Sequence, residues 1–312
     1  MSTSVIPAFR FSGHETFPCR YAWLPKAVQH LSRNPLLFQD EQKAMVALGV
    51  GRNMVRSIKF WAESAGIISE RKPEGWDVTR FGADVLGREG HDPYLERIQT
   101  LWLLHWKIST NPDQPLFAWH YLLNYWHRRE FSRSEIIKAF AVEAARMGKK
   151  LSEVTLDNDF TTFLHTYTPT KNKKNEVLED NLDCPLVELE LLLKVGERST
   201  QDAGRREAVY SFRVEEKPEI SQPLFIFCLN EYWKNRRSNE QTLTFRDVSV
   251  LEGSPGQVFK LPENDIRSRL ERIKKDSKGV FDFRESSALQ QVIREKNAKP
   301  ETLIDNIYGK DF

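Results

Sequence analysis

In the stretch FSGHETFPCRYAWLPKAV, Phe11 to Val28, the polar residues His14, Glu15, Arg20 and Lys26 fall between aromatic ones, and Gly13 and Pro18 interrupt regular structure. These types match what phosphodiester cleavage requires. An unperturbed histidine titrates near neutrality, so His14 could take and give a proton. Glu15 could orient it or hold a metal, and Arg20 with Lys26 could hold the phosphate. A plainer reading fits equally: His14 and Glu15 cap the following helix while Phe17 and Trp23 fill the core. Two acidic pairs, Asp157 with Asp159 and Glu179 with Asp180, supply the oxygen ligands that Mg2+ or another divalent cation prefers, and Asp183 adds a third acid to the second pair. Their alternative roles are a helix cap for Asp157 and a polar loop for Glu179 and Asp180. The chain carries neither an HNH pattern nor a PD followed by ExK.

The element most able to bring such groups to nucleic acid is LGVGRNMVRSIKFWAESAGII, Leu48 to Ile68. Met54, Val55, Ile58, Trp61, Ala62 and Ala65 recur at helical spacing and form a core stripe, which leaves Arg52, Asn53, Arg56 and Lys59 on another face for DNA. A preceding helix over 40–48 and the glycines Gly49 and Gly51 make this the second helix of a helix-turn-helix. Gly66 ends it, and Ile67-Ile68-Ser69 and Trp76-Asp77-Val78-Thr79 read as two strands of a wing across the turn Lys72 to Gly75. Thr79 caps a further helix. A second basic stretch, TPTKNKKNE, offers Lys171, Lys173 and Lys174 to phosphate, although charge runs also serve as solvated loops.

At 312 residues the chain is long enough for several domains. Its 46 basic and 44 acidic side chains nearly cancel, so a nucleic-acid contact must come from local patches rather than an overall field. Cys19, Cys184 and Cys228 lie far apart, which argues against structural zinc and a disulfide scaffold. The absence of a long apolar run or a signal-peptide pattern leads to the expectation of a soluble cytoplasmic protein. Trp102, Trp106, Trp119 and Trp126 mark two aromatic-rich segments read as buried scaffold. Further on, AVYSFRV reads as a strand, LFIFCLNEYW as a helix, and Asn264 to Lys275 as a basic helix before a strand, a looser second winged-helix pattern. The expected fold is mainly α with small β-hairpins (α+β), in which winged-helix or helix-turn-helix modules are joined by a helical scaffold. The expected domains are an N-terminal motif and winged helix over 1–90, a scaffold over 91–180, and a winged-helix-like domain over 181–312.

Four stretches carry a family resemblance: HETF with RY and WLPK between His14 and Lys26, LGVGRNMVRSIKFW, LDNDFTTFLHTY from Leu156, and EDNLDCPLVELELL from Glu179. Together they resemble the SspB family, found beside the enzymes of bacterial single-stranded DNA phosphorothioation, a modification and phage-defence system. The resemblance implies a protein that nicks one strand of double-stranded DNA so that sulfur can be placed on the backbone. Its implied partners are a cysteine desulfurase, an ATP pyrophosphatase and an ATPase. It assigns no catalytic residue. Two other readings stay open, a non-catalytic DNA-binding adaptor that recruits the sulfur-transfer proteins and a transcriptional regulator.

Overall fold

Start and stop signals in the sequence divide the first hundred residues into short helices around one hairpin. In the computed structural model, which describes residues 8–169, 184–199, 206–286, 289–296 and 300–309, helix α1 runs Trp23–Leu31, α2 Glu41–Leu48 and α3 Arg52–Ser64. Asp40 starts α2 by accepting the amides of Gln42 and Lys43, each at 3.1 Å. Gly49, left-handed at φ 66°, stops it. The buried stripe of α3 holds Val55, Ile58, Trp61 and Ala62, the expected period, and α1 packs across it. An antiparallel hairpin follows, β1 Ile68–Arg71 and β2 Gly75–Val78, with Ile68 opposite Val78. Thr79 then caps α4, Arg80–Leu86, by accepting the Gly82 amide at 2.9 Å.

The chain continues through α5 Ile98–Thr110, α6 Phe117–Asn124, β3 Glu130–Ser132, α7 Arg133–Arg146, α8 Glu153–Tyr167, β4 Leu192–Ser199 and β5 Arg206–Phe212. Strand β5 lies between β3 and β4, antiparallel to both. Met1–Tyr121 and His127–Arg213 form one unit, in which α5 to α8 share a core with the N-terminal helices. Rings link them: Trp61 of α3 meets Trp119 of α6 at 5.6 Å, and Trp119 meets Phe163 of α8 at 5.1 Å. Trp102, Trp106 and Trp119 are fully buried, and the Trp119 indole donates to the Tyr167 hydroxyl at 2.9 Å. Lys194 to Ser199 is the outer part of β4. It pairs on one edge with β5 and leaves its side chains in solvent, which removes the apolar alternation a strand assignment relies on.

The second unit comprises Leu122–Trp126 and Val214–Phe312. Its elements are α9 Gln222–Arg236, β6 Thr242–Thr244, α10 Phe245–Ser249, α11 Pro255–Phe259, α12 Glu263–Asp276, β7 Phe281–Glu285, β8 Gln290–Arg294 and α13 Pro300–Ile307. Strand β8 is central between β6 and β7. Trp233 stacks on Phe281 at 5.7 Å in the core. Cations also enter this interior on backbone acceptors. The buried Arg269 guanidinium donates to the carbonyls of Ile220 at 2.7 Å and Lys217 at 2.9 Å, and Lys260 donates to that of Leu123 at 2.6 Å. The chain is thus an α+β protein, mainly helical with small antiparallel sheets. Among the described residues no helix is long and apolar enough to cross a membrane.

Candidate nucleic-acid interface

The first turns of α3 present cations to solvent, and one acid on α2 organises them. Arg52 and Arg56 have side chains 56% and 47% exposed, and both reach Glu41, at 3.3 and 2.7 Å. The hydrogen bond from Arg56 holds the Glu41 carboxyl below its ordinary value. Asn53 is exposed on the same turn. Lys59, two turns along, is placed differently: its ammonium sits 4.1 Å from the Trp76 ring and 3.9 Å from Glu63. The hairpin beside it is charged but balanced, with Arg71 paired to Glu74 and Asp77, and Lys72 to Glu70. The cationic face is therefore the start of α3, around Arg52 and Arg56.

The loop carrying His14 and Glu15 docks on α3. Gly13 adopts φ 110°, and a Cβ there would come within 2.9 Å of the Phe60 ring. Glu15 and Thr16 are also left-handed, at φ 48° and 64°, a backbone that side chains with a Cβ disfavour. What holds this loop is His14, which is 3% exposed. Its Nδ1 accepts the Thr16 amide at 3.0 Å, which leaves the ring proton on Nε2, facing Asp159 Oδ1 at 3.3 Å. The Thr162 hydroxyl lies 3.1 Å from Nδ1, and Ser57 of α3 donates to the His14 carbonyl at 2.7 Å. Burial pushes the Asp159 carboxyl up, opposed by the hydrogen bond from His14. The charged form of Arg56 is favoured first by its hydrogen bond to Glu41 and then by the half-exposed Glu15 carboxylate nearby.

The other residues read as a catalytic group make separate contacts. Arg20 lies over the Phe17 and Trp23 rings at 5.8 and 5.4 Å. Lys26 donates to the Leu48 carbonyl at 3.2 Å, at the C-terminal end of α2 where cations are favoured. Nor does the structure bring Asp157 and Asp159 together. Two positions apart on α8 they project to different sides, Asp157 to Arg133 and Asp159 to His14. Among the described residues no three His, Cys, Asp or Glu side chains converge as metal ligands. Glu179, Asp180, Lys171, Lys173 and Lys174 lie outside the described residues. On the basic helix α12, Arg267 pairs with Glu285, the buried Arg269 with Asp265, and the exposed Lys274 with Asp282.

Sequence reasoning did not find Glu41, Ser57 or Thr162. Glu41 carried only the ordinary signal of an acid in a first helical turn, and the other two match countless buried hydroxyls. It also missed that the segment from Phe11 to Val28 is a hub. Ser57 and the Trp61 indole, which donates to the Phe17 carbonyl at 3.0 Å, attach it to α3. Asp159 and Thr162 attach it to α8, and Tyr21 donates to Glu188 in the 3-10 turn Pro185–Leu189. Cys184, whose thiol is pushed up to about 12 by burial, donates to the Thr166 carbonyl at 3.3 Å. Four stretches far apart in sequence are thereby one packed neighbourhood.

Solved structures share the fold of this chain. A crystal structure of SspB aligns with a TM-score of 0.81 at 23% identity, over 96% of this chain and 87% of the other. A crystal structure of magnesium ion-bound SspB aligns with a TM-score of 0.80 at 22% identity, over the same shares. At this identity the likeness is one of fold. Among curated proteins there is no match. The family described as protein of unknown function (DUF4007) matches residues 11–308, from the aromatic before His14 to the end of α13, and with that span the chain belongs to the DUF4007 family and has an SspB-like fold.

Proposed function

We propose that this chain is a DNA-binding component of a DNA phosphorothioation defence system, engaging double-stranded DNA through α2 and α3 as a winged-helix module. The observation that carries the reading is the exposed Arg52 and Arg56 pair at the start of α3, held ready by one carboxylate. Phosphate oxygens offer a guanidinium the same bidentate geometry as a carboxylate, so DNA can replace Glu41 without rebuilding the site. Glu15 and Thr16, on a loop fixed by the buried His14, border the same surface. The helix, turn, helix, hairpin order supports the winged-helix reading, and the order strand, helices, two strands recurs in β3 to β5 and β6 to β8. The SspB resemblance supports the system, with a cysteine desulfurase, an ATP pyrophosphatase and an ATPase as partners. Duplex binding by full-length protein, compared with the R52A/R56A variant by fluorescence anisotropy, tests the reading. Equal affinities would sink it.

Strand nicking is the second reading, favoured by the same resemblance. The described residues offer no group of three converging metal ligands for it. Conversion of supercoiled plasmid to open circle, with magnesium, manganese or chelator, separates the two. Metal-dependent open circle supports a nickase, whereas duplex binding without conversion, alone and with the sulfur-transfer proteins, supports an adaptor. A regulator would instead prefer one promoter over random duplex by a large ratio.

A further inference from the structure

A cavity of about 600 Å3 opens between α1 and the segment that follows α4, within the range that small organic ligands occupy. Pro25 and Val28 of α1, Leu86 and Pro93 give it apolar walls. Arg33 and Arg88, both exposed, also line it. Tyr94 also lines it and is 74% exposed, an unusual position for so large a ring. The Gln29 amide on the α1 wall can both donate and accept a hydrogen bond.

The loop that carries Tyr94 is built rather than loose. The Asp92 carboxylate, 3% exposed, accepts the Glu96 amide at 2.8 Å and the Arg97 amide at 3.0 Å. The Asp92 amide in turn donates to the Val85 carbonyl at 2.9 Å, tying the loop to α4. Leu95 is buried and left-handed at φ 60°, a conformation a leucine keeps only when its surroundings enforce it. The chain thus holds a strained leucine inside and an exposed aromatic ring on a cavity that two arginines also line.

We infer that this cavity binds one unpaired nucleotide of single-stranded DNA, with the base against Tyr94 and the backbone phosphates on Arg33 and Arg88. An aromatic face with nearby guanidiniums is the physical requirement for holding a single strand, because every base has a π-face and every linkage a charge. The apolar walls accept the flat surface of the base, and Gln29 can meet its edge. The site rests on the reading of this chain as a DNA-binding protein but uses none of the residues assigned to the duplex, so failure of one is distinguishable from failure of the other.

The test is fluorescence anisotropy of the full-length chain with a labelled oligothymidine and with a labelled duplex. Tyr94→Ala is expected to weaken oligothymidine binding on the order of tenfold, the usual worth of one stacked base, with Tyr94→Phe retaining it. R33A/R88A is expected to lower the salt slope for the single strand by about 1.4, at about 0.7 per phosphate. Both leave duplex binding at the parent level, whereas R52A/R56A does the reverse. Unchanged oligothymidine binding in Tyr94→Ala and R33A/R88A overturns the inference. So does a cavity that takes a polyglutamate peptide but no oligothymidine, which would make it an acidic-peptide site. These side chains are exposed, so a thermal melt matching the parent protein shows that any loss is local.

Discussion

If the start of α3 carries the duplex contact, salt will report it residue by residue. Each phosphate neutralised contributes about 0.9 to the slope of log affinity against log salt. Arg52 and Arg56 are exposed and oriented by Glu41, so each is free to exchange that carboxylate for a phosphate. Lys59 differs, because its ammonium is seated on the Trp76 ring and its side chain is only 34% exposed. R52A/R56A should therefore lower the slope by about 1.8, while Lys59→Ala should leave it nearly unchanged. Over a fourfold rise in salt the parent protein then loses about tenfold more affinity than R52A/R56A does. The assay is anisotropy with a labelled duplex at several salt concentrations between about 50 and 200 mM. A slope that does not move in R52A/R56A, or that drops as far in Lys59→Ala, would refute the reasoning and place the duplex elsewhere.

Other consequences are equally open to measurement. Glu41→Gln removes the carboxylate that competes with phosphate for both arginines, so it should tighten duplex binding at low salt; weaker binding would mean that Glu41 is needed to orient them. His14→Ala removes a hydrogen bond from the buried Asp159 carboxyl and should cost about 1–3 kcal/mol, read as a lower urea midpoint at constant slope. Lys260 is held at about 7, below its ordinary 10.5, by burial and by Lys217. Between those values the unfolded chain binds more protons than the folded one, so stability should rise with pH above about 7. Lys260→Met should flatten that rise, and a curve parallel to the parent's would count against it. Asp159 has the opposite sign: burial raises its carboxyl above 3.8, so its contribution falls as pH rises above that value. Asp159→Asn should gain on the parent protein in thermal stability as pH is raised from about 4, and a constant difference would refute the assignment.

Much of the local architecture was legible because it is written in short-range signals. The period of α3, the glycine at 49, the hairpin turn and the cap at Thr79 each depend on residues within a few positions of one another. Strand β4 escaped because an exposed edge strand has no buried face to produce alternation, and Lys194, Glu197 and Arg198 look like a loop. The separation of Asp157 from Asp159 was available in principle from helix geometry, since residues two apart do not share a face. The partner of His14 was not, because Asp159 lies 145 residues away and nothing near either residue encodes the meeting.

That meeting changes the meaning of the most suggestive sequence in the chain. A histidine beside a glutamate in a glycine- and proline-interrupted segment has the composition of an acid–base centre, and a buried strut has the same composition. Burial separates the two. With Nδ1 occupied by a backbone amide, Nε2 facing a buried carboxylate and the ring 3% exposed, His14 has no nitrogen left to offer a substrate in this conformation. Its visible effect is to hold two adjacent left-handed residues, Glu15 and Thr16, against the cationic end of α3. Strain of that kind persists only when the surroundings enforce it, and here the enforcement comes from α3 and α8 together. The chemistry suggested by the types of His14 and Glu15 is divided by the fold: the histidine is spent inside on position, and the glutamate is what reaches the surface beside Arg56.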